Sequence, residues 1–232
     1  MIPKTPARPP DPFGDDEGIL DIHCRPALDE DLPQVASLAL GLLDQVFGET
    51  IARASGEAER ILADTLGARL RHDCTWVMHE GEQVIGMIDL ETAETRKLNG
   101  PSLAQVLVAS LDLAERVAKA GLLPMLVYEP GATDAHQALV ALLPGSRGEG
   151  RGTLLLMHGA FWARAQGKDW VTAWLRAGDP VLPVYERRGY FVDREFEARG
   201  AHGLEDWWLL RRPLSTRAHS MLEKGDGGKG KK

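Results

Sequence analysis

One stretch narrows the possible folds of this chain more than any other. The apolar run QALVALL (137–143) meets the turn PGSRGEGRGT (144–153), which leads straight into the helical LLLMHGAFWARAQ (154–166). An unbroken apolar run predicts a strand buried on both faces, Gln137 to Leu143. Strand, glycine-rich turn and helix start together suit an anion, because successive backbone N–H groups point into the turn and the helix dipole favours negative charge there. Glycine is required where φ is positive, or where a Cβ would hold the anion away. Two nucleotide loops fail by count. A P-loop framed on Gly145 and Gly150 needs Lys and then Ser or Thr next, where Arg151 and Gly152 stand. A Rossmann turn needs its third glycine where Thr153 stands, and should close an early βαβ unit. A loop that holds nothing is the remaining reading of the turn taken alone.

The rest of the chain alternates between strand and helix periods. Ile19–Arg25 reads as a short strand. Asp29 or Asp31 caps a helix through Leu32, Val35, Ala36, Ala39, Leu42, Leu43 and Val46, with Pro33 in its first turn. A second helix is expected over Glu57–Arg71, then a hairpin of Thr75–His79 and Gln83–Leu90 around Gly81. Pro101–Ala120 carries an apolar face (Leu103, Val106, Leu107, Leu111, Ala114, Val117) and stops at Gly121. Met1–Gly18, rich in Pro and acid, is expected to be a flexible arm; residues 214–232, ending in EKGDGGKGKK, are expected to be a flexible tail. The domain itself is placed at 19–213, with a helical insertion at about 97–130.

Composition bounds the function class. Hydrophobic residues make up 44% and charged residues 26%, the balance of a globular protein. Against 27 basic residues stand 34 acidic ones, a net charge of −7, which argues against nucleic acid or an acidic membrane as partner and suits a cationic substrate. Cys24 and Cys74 alone imply no disulfide framework. The N-terminus lacks the apolar core of a signal peptide and no window resembles a membrane span, so a cytoplasmic location is expected. His72, Cys74 and His79 fit no zinc spacing, and no metal is expected.

The frame Arg147-x-x-Gly150-x-Gly152 resembles the Q/R-x-x-G-x-G/A pyrophosphate loop of the GNAT superfamily of acyl-CoA-dependent N-acyltransferases. Pro144 precedes the loop as is common there, and Val140-Ala141-Leu142 stands in place of the apolar triplet on the family's fourth strand. VYERRGY (184–190) resembles the family's L-Y-E-x-x-G-F/Y segment, and Arg25-Pro26-Ala27 with Asp31-Leu32-Pro33 its common start. The resemblance covers about Ile19 to Pro213. It implies an α/β fold: a mixed, mostly antiparallel sheet of about seven strands, splayed between strands 4 and 5 and flanked by helices.

It also implies site roles. The N–H groups of Gly148, Glu149, Gly150, Arg151, Gly152 and Thr153 would hold the pyrophosphate of acetyl-CoA, with added charge from Arg147 and Arg151. The backbone of Val140, Ala141 and Leu142 would pair with the pantetheine arm as if with another strand. Glu149 is a departure, since its carboxylate must turn to solvent. Gly178 stands where the family often has Asn. Tyr185 matches the tyrosine that often protonates the leaving thiolate; a core tyrosine is the alternative. His136 occupies the position of a strand-4 glutamate base in some relatives; a surface histidine is the alternative. Glu91 and Glu94 are rivals for base or for binding a substrate cation, and ordered water is a further candidate. Trp170 and Trp174 share a face, as core or as a substrate-facing wall. The expected reaction is direct transfer of an acetyl group from acetyl-CoA to a primary amine, small and cationic; a non-catalytic acyl-CoA-binding sensor is the competing expectation. The helix 101–120 would cover the acceptor side or form an interface, so a homodimer is possible.

Overall fold

The computed structural model describes residues 22–47, 55–70, 73–102, 105, 106, 109, 128–196 and 206–226. Strand β1 (Ile22–Pro26) leads through a 3-10 turn (Asp29–Asp31) into α1 (Leu32–Phe47), followed by α2 (Ser55–Leu70). The hairpin β2 (Thr75–Glu80) and β3 (Gln83–Thr92) turns at Gly81, whose φ of +60° favours glycine. After β3 come α3 (Ala93–Asn99), β4 (Asp134–Leu142), a 3-10 turn (Pro144–Ser146) and α4 (Arg151–Ala165). Next are β5 (Trp170–Arg176), α5 (Leu182–Glu186), β6 (Phe191–Phe196), β7 (Trp207–Pro213) and α6 (Thr216–Asp226).

The seven strands form one open sheet in the order β1-β2-β3-β4-β5-β7-β6. Every pairing is antiparallel except β4 with β5, and that contact is short: Asp134–Gln137 face Trp170–Ala173. Beyond Gln137 the two strands part, while β4 stays paired with β3 as far as Leu142. The expected mixed sheet and its splay are both present.

Alternating side chains bury both faces. On one, α1 and α2 place Val35, Ala36, Ala39, Leu62 and Leu66 against Val77, Val84, Met87 and Ala141. On the other, α4 places Leu155, Leu156, Ala160 and Ala163 against Ile85, Ile88, Leu90, Ala135, Val171 and Ala173. Gly159 lets α4 approach the sheet closely: a Cβ there would lie 2.6 Å from Gln137 Nε2 and 2.7 Å from Ile88 Cδ1.

The flexible tail expected from residue 214 needs correction. Thr216–Asp226 is helical, Leu214 and Ala218 are buried, and Ser215 links the helix start to the body. Its Oγ donates to Asp169 at 2.5 Å and accepts from the Ala218 N–H at 3.1 Å. The Gly/Lys composition of the last residues concealed this capped turn. A second difference concerns α3, which occupies 93–99 and so begins ahead of the helical insertion expected from about 97; Thr92 caps it, accepting from the Thr95 N–H at 3.2 Å. The N-terminal arm and most of the expected 101–120 helix fall outside the described residues. No helix among the described residues is long and apolar enough to cross a membrane.

The close approach at Gly159 sets α4, and with it the glycine turn, on the sheet. Gly159→Ala overpacks that contact and should cost about 1–3 kcal/mol in chemical denaturation. An unchanged unfolding midpoint would contradict this packing.

Candidate active site

The glycine turn is built by three successive residues in the left-handed region, Gly148 (φ +97°), Glu149 (φ +50°) and Gly150 (φ +80°). Gly150 is the N-cap of α4, so the helix begins at Arg151, inside the segment the sequence reads as turn. Arg151 N–H donates back to the Gly148 carbonyl at 3.1 Å, and Leu154 N–H to Gly150 at 3.0 Å. Among the described residues, no backbone carbonyl takes the N–H groups of Gly148, Glu149, Gly150, Gly152 or Thr153. Five unpaired donors thus gather at the positive end of a 15-residue helix, an arrangement that attracts a multiply charged anion. A Cβ at Gly148 or Gly150 would meet nothing within 4 Å, so the rim is open.

The charged residues of the loop divide. Arg147 is exposed. Arg151 is buried, and its guanidinium is held by Glu80 on β2 at 2.8 Å and by Glu149 at 3.2 Å. Its side chain anchors the loop to the hairpin, and its N–H is already used. Glu149 lies outward with its side chain 70% exposed, which removes the repulsion its position suggested.

Behind the turn lies the wedge between β4 and β5. Residues Ala138–Leu142, which include Val140, Ala141 and Leu142, have no β5 partner. An extended chain laid there would find main-chain groups on β4 to pair with. On the α4 side, Gln137 closes the wedge: its Oε1 accepts from Tyr190 Oη at 2.9 Å, and its Nε2 donates to the Leu156 carbonyl at 3.5 Å. Tyr185, on α5, packs edge-to-face on Tyr190 with centroids 5.1 Å apart. Its hydroxyl forms no hydrogen bond within the described residues, and burial raises it well above the usual phenol range. Tyr185 therefore keeps its proton at neutral pH.

On the opposite face a polar row crosses the sheet, because Glu91, His136, Thr172 and Arg211 stand opposite one another in register. His136 is buried, 5% exposed, not the surface residue that was its alternative. Its Nδ1 lies 3.0 Å from Thr172 Oγ1, which in turn lies 3.1 Å from Tyr128 Oη; the Tyr128 and His136 rings meet tilted at 54°, centroids 4.6 Å apart. Burial holds the imidazole down at about 4, against a pull upward from Glu91. His136 is thus neutral at physiological pH and a weak base.

Neither expected cation binder carries a free charge. Glu91 is buried against Arg96 at 2.5 Å, and Arg96 also donates to Gln105. Glu94 meets Lys168 at 2.6 Å, and that hydrogen bond holds its carboxyl at about 2. Among the described residues no cluster of three or more His, Cys, Asp or Glu side chains could hold a metal ion. Tyr128 and Thr172 were missed by sequence reasoning, because the register that joins them to His136 is non-local. Gln137 did leave a signal: a polar residue opening a buried apolar strand must find partners.

A buried neutral histidine makes stability depend on pH. Its folded value near 4 lies below the unfolded 6.5, so its stabilisation is intact above about 6.5 and is lost as pH falls toward 4. Burial depresses His79 as well, adding to the loss. Denaturation between pH 7 and 4 should show the wild type losing roughly 3 kcal/mol more than His136→Gln. Equal losses would contradict a buried neutral His136.

No protein-family model and no curated protein sequence matches the chain. Solved structures do. An acetyltransferase aligns with a TM-score of 0.59 at 18% identity, over 83% of this chain and 100% of that one. The ribosomal-protein-alanine N-acetyltransferase from Brucella melitensis aligns at 0.57 and 16%, over 83% and 99%. The PaiA N-acetyltransferase from Thermoplasma acidophilum, solved in complex with coenzyme A, aligns at 0.54 and 13%, over 84% and 99%. At these identities the likeness speaks for architecture. With its open seven-stranded sheet and a single parallel contact that parts after Gln137, this chain has the GNAT fold.

Proposed function

We propose that the protein is an acyl-CoA-dependent N-acyltransferase that moves an acetyl group from acetyl-CoA to a primary amine by direct attack. The observation that carries this reading is the adjacency of two unsatisfied main-chain surfaces: the free N–H groups of the 148–153 turn and the unpaired edge of β4. A linear ligand with a diphosphate at one end and an amide-bearing arm matches both. The diphosphate lies on Gly148, Glu149, Gly150, Gly152 and Thr153, with Arg147 free to add charge from the rim. The arm runs along Val140, Ala141 and Leu142. The fold shared with acetyltransferases, one of them holding coenzyme A, supports the same ligand.

In the reaction, the amine nitrogen forms a bond to the thioester carbon, the carbon–sulfur bond breaks, the nitrogen gives up one proton to water, and the departing thiolate takes one. Tyr185 sits on the α4 side of the wedge and is protonated at neutral pH, so it has a proton to give the thiolate, while the burial that raises it makes it a weaker acid than a free phenol. His136 is a less suitable base than its position suggested, since a group near 4 competes poorly for an ammonium proton at neutral pH. Its role is to hold Thr172 and Tyr128 in place, and the amine reaches the thioester already neutral or loses its proton to water. The carboxylates of Glu91 and Glu94 shape the site through Arg96 and Lys168.

Two variants test this reading. Gly150→Val strains the φ +80° cap and crowds the rim, and should weaken acetyl-CoA binding about 10-fold or more in calorimetry. Tyr185→Phe should lower amine-dependent thiol release about 10-fold or more with acetyl-CoA affinity unchanged. Unchanged turnover in Tyr185→Phe would remove that residue from the chemistry. Binding without turnover by any amine would favour the sensor reading.

A further inference from the structure

We propose that the acceptor is an amine on an aromatic skeleton with a hydrogen-bond-accepting group beside the nitrogen, and that Trp174 recognises it. This inference rests on the acyl-transfer reading and deepens it. It departs from the expectation of a small polycation, and the first reason is charge. Four carboxylates lie on or beside the sheet face that carries His136. Glu91 is bound by Arg96 at 2.5 Å, Glu94 by Lys168 at 2.6 Å, Asp134 by Arg211 at 2.9 Å, and Asp193 by Arg194 at 3.5 Å. Lys168 is itself buried and also donates to the Ala132 carbonyl at 2.9 Å. A polycation would have to displace cations already built into the protein.

The second reason is what stands where the strands part. Trp174 is the first residue of β5 beyond its last pairing with β4 at Ala173. Ala173 and Leu175 pack toward α4, so Trp174 projects from the other face, the one that carries Thr172 and His136. Its ring is only partly buried and joins an aromatic chain: Tyr128 meets it edge-on at 5.7 Å and Phe196 at 4.9 Å. A flat apolar group extends such a chain through further edge or offset contacts.

The third reason is polar and independent of the other two. The Trp174 Nε1–H is shielded from solvent and has no hydrogen-bond partner among the described residues. A buried donor without an acceptor is costly, and a substrate carbonyl beside the wedge would relieve it. Aromatic ring, accepting oxygen and nearby amine together define the class, of which phenylalaninamide is a simple member.

The test uses the full chain with three probes: phenylalaninamide, phenethylamine, which lacks the carbonyl, and spermidine. Acetyl-CoA binding is measured first by calorimetry; its absence overturns the acyl-transfer reading itself. Given binding, thiol release should rank phenylalaninamide above phenethylamine above spermidine in kcat/KM, with gaps of about 10-fold each. Trp174→Phe keeps a ring but loses the N–H, and should close most of the first gap with acetyl-CoA affinity unchanged. Spermidine equal to or better than the aromatic amines overturns the proposal, as does acetyl-CoA binding with no turnover of either aromatic amine. A first gap that survives in a Trp174→Phe protein with normal acetyl-CoA affinity overturns the role of the indole N–H.

Discussion

A β-strand exposes a hydrogen-bonding edge on each side, and a sheet satisfies these edges by pairing. Here that rule is broken at one interior place: β4 leaves β5 after Gln137 and continues to Leu142 with a neighbour on one side only. The rest of the arrangement follows from this parting. It leaves main-chain groups facing a gap, and it brings the glycine turn to the far end of that gap. It also leaves Trp174, still paired with Leu209 on β7, without a neighbour on β4. The sheet tolerates the opening because α4 is pressed tightly against one face at Gly159, while α1 and α2 cover the other near Met87 and Ala141.

Electrostatics at the site works by compensation inside the protein. Arg151 is drawn into the body by Glu80, Glu91 is matched by Arg96, and Glu94 by Lys168. The first pair ties the start of α4 to the end of β2, the other two link α3 to the end of β3 and to the segment before β5, and their charges are largely settled before any ligand arrives. What is left for a dianionic ligand is the partial positive charge of the free amides and the α4 dipole, with Arg147 at the rim. On the proposed reading, an acceptor is recognised mainly by shape, ring surface and single hydrogen bonds.

Much of this was legible in the sequence because it is local. Turn, strand and helix in 137–166 are written in consecutive residues, and the hairpin at Gly81 and the helix at Leu32 follow from period and punctuation. The GNAT architecture followed from the resemblance of Arg147-x-x-Gly150-x-Gly152 and its companion near Tyr185. The burial of His136 was not legible. It depends on β3 and β5 flanking β4 in one register and on the Tyr128 ring packing against the imidazole, contacts that join residues up to 45 positions apart in the chain, as Glu91 and His136 are. The fate of Glu94 was hidden for the same reason, since its partner Lys168 lies 74 positions further along the chain. The helix at 216–226 was concealed by composition, because Gly and Lys at the very end outweighed the Ser215 cap and the buried Leu214 and Ala218.

The central claim is that main-chain amides at the start of α4 grip a diphosphate. The most direct measurement follows the backbone N–H resonances of the protein as coenzyme A is added. The account predicts large, saturable shifts at Gly148, Glu149, Gly150, Gly152 and Thr153, together with shifts along Val140–Leu142. Binding that leaves those amides undisturbed, or no binding at all, would contradict it.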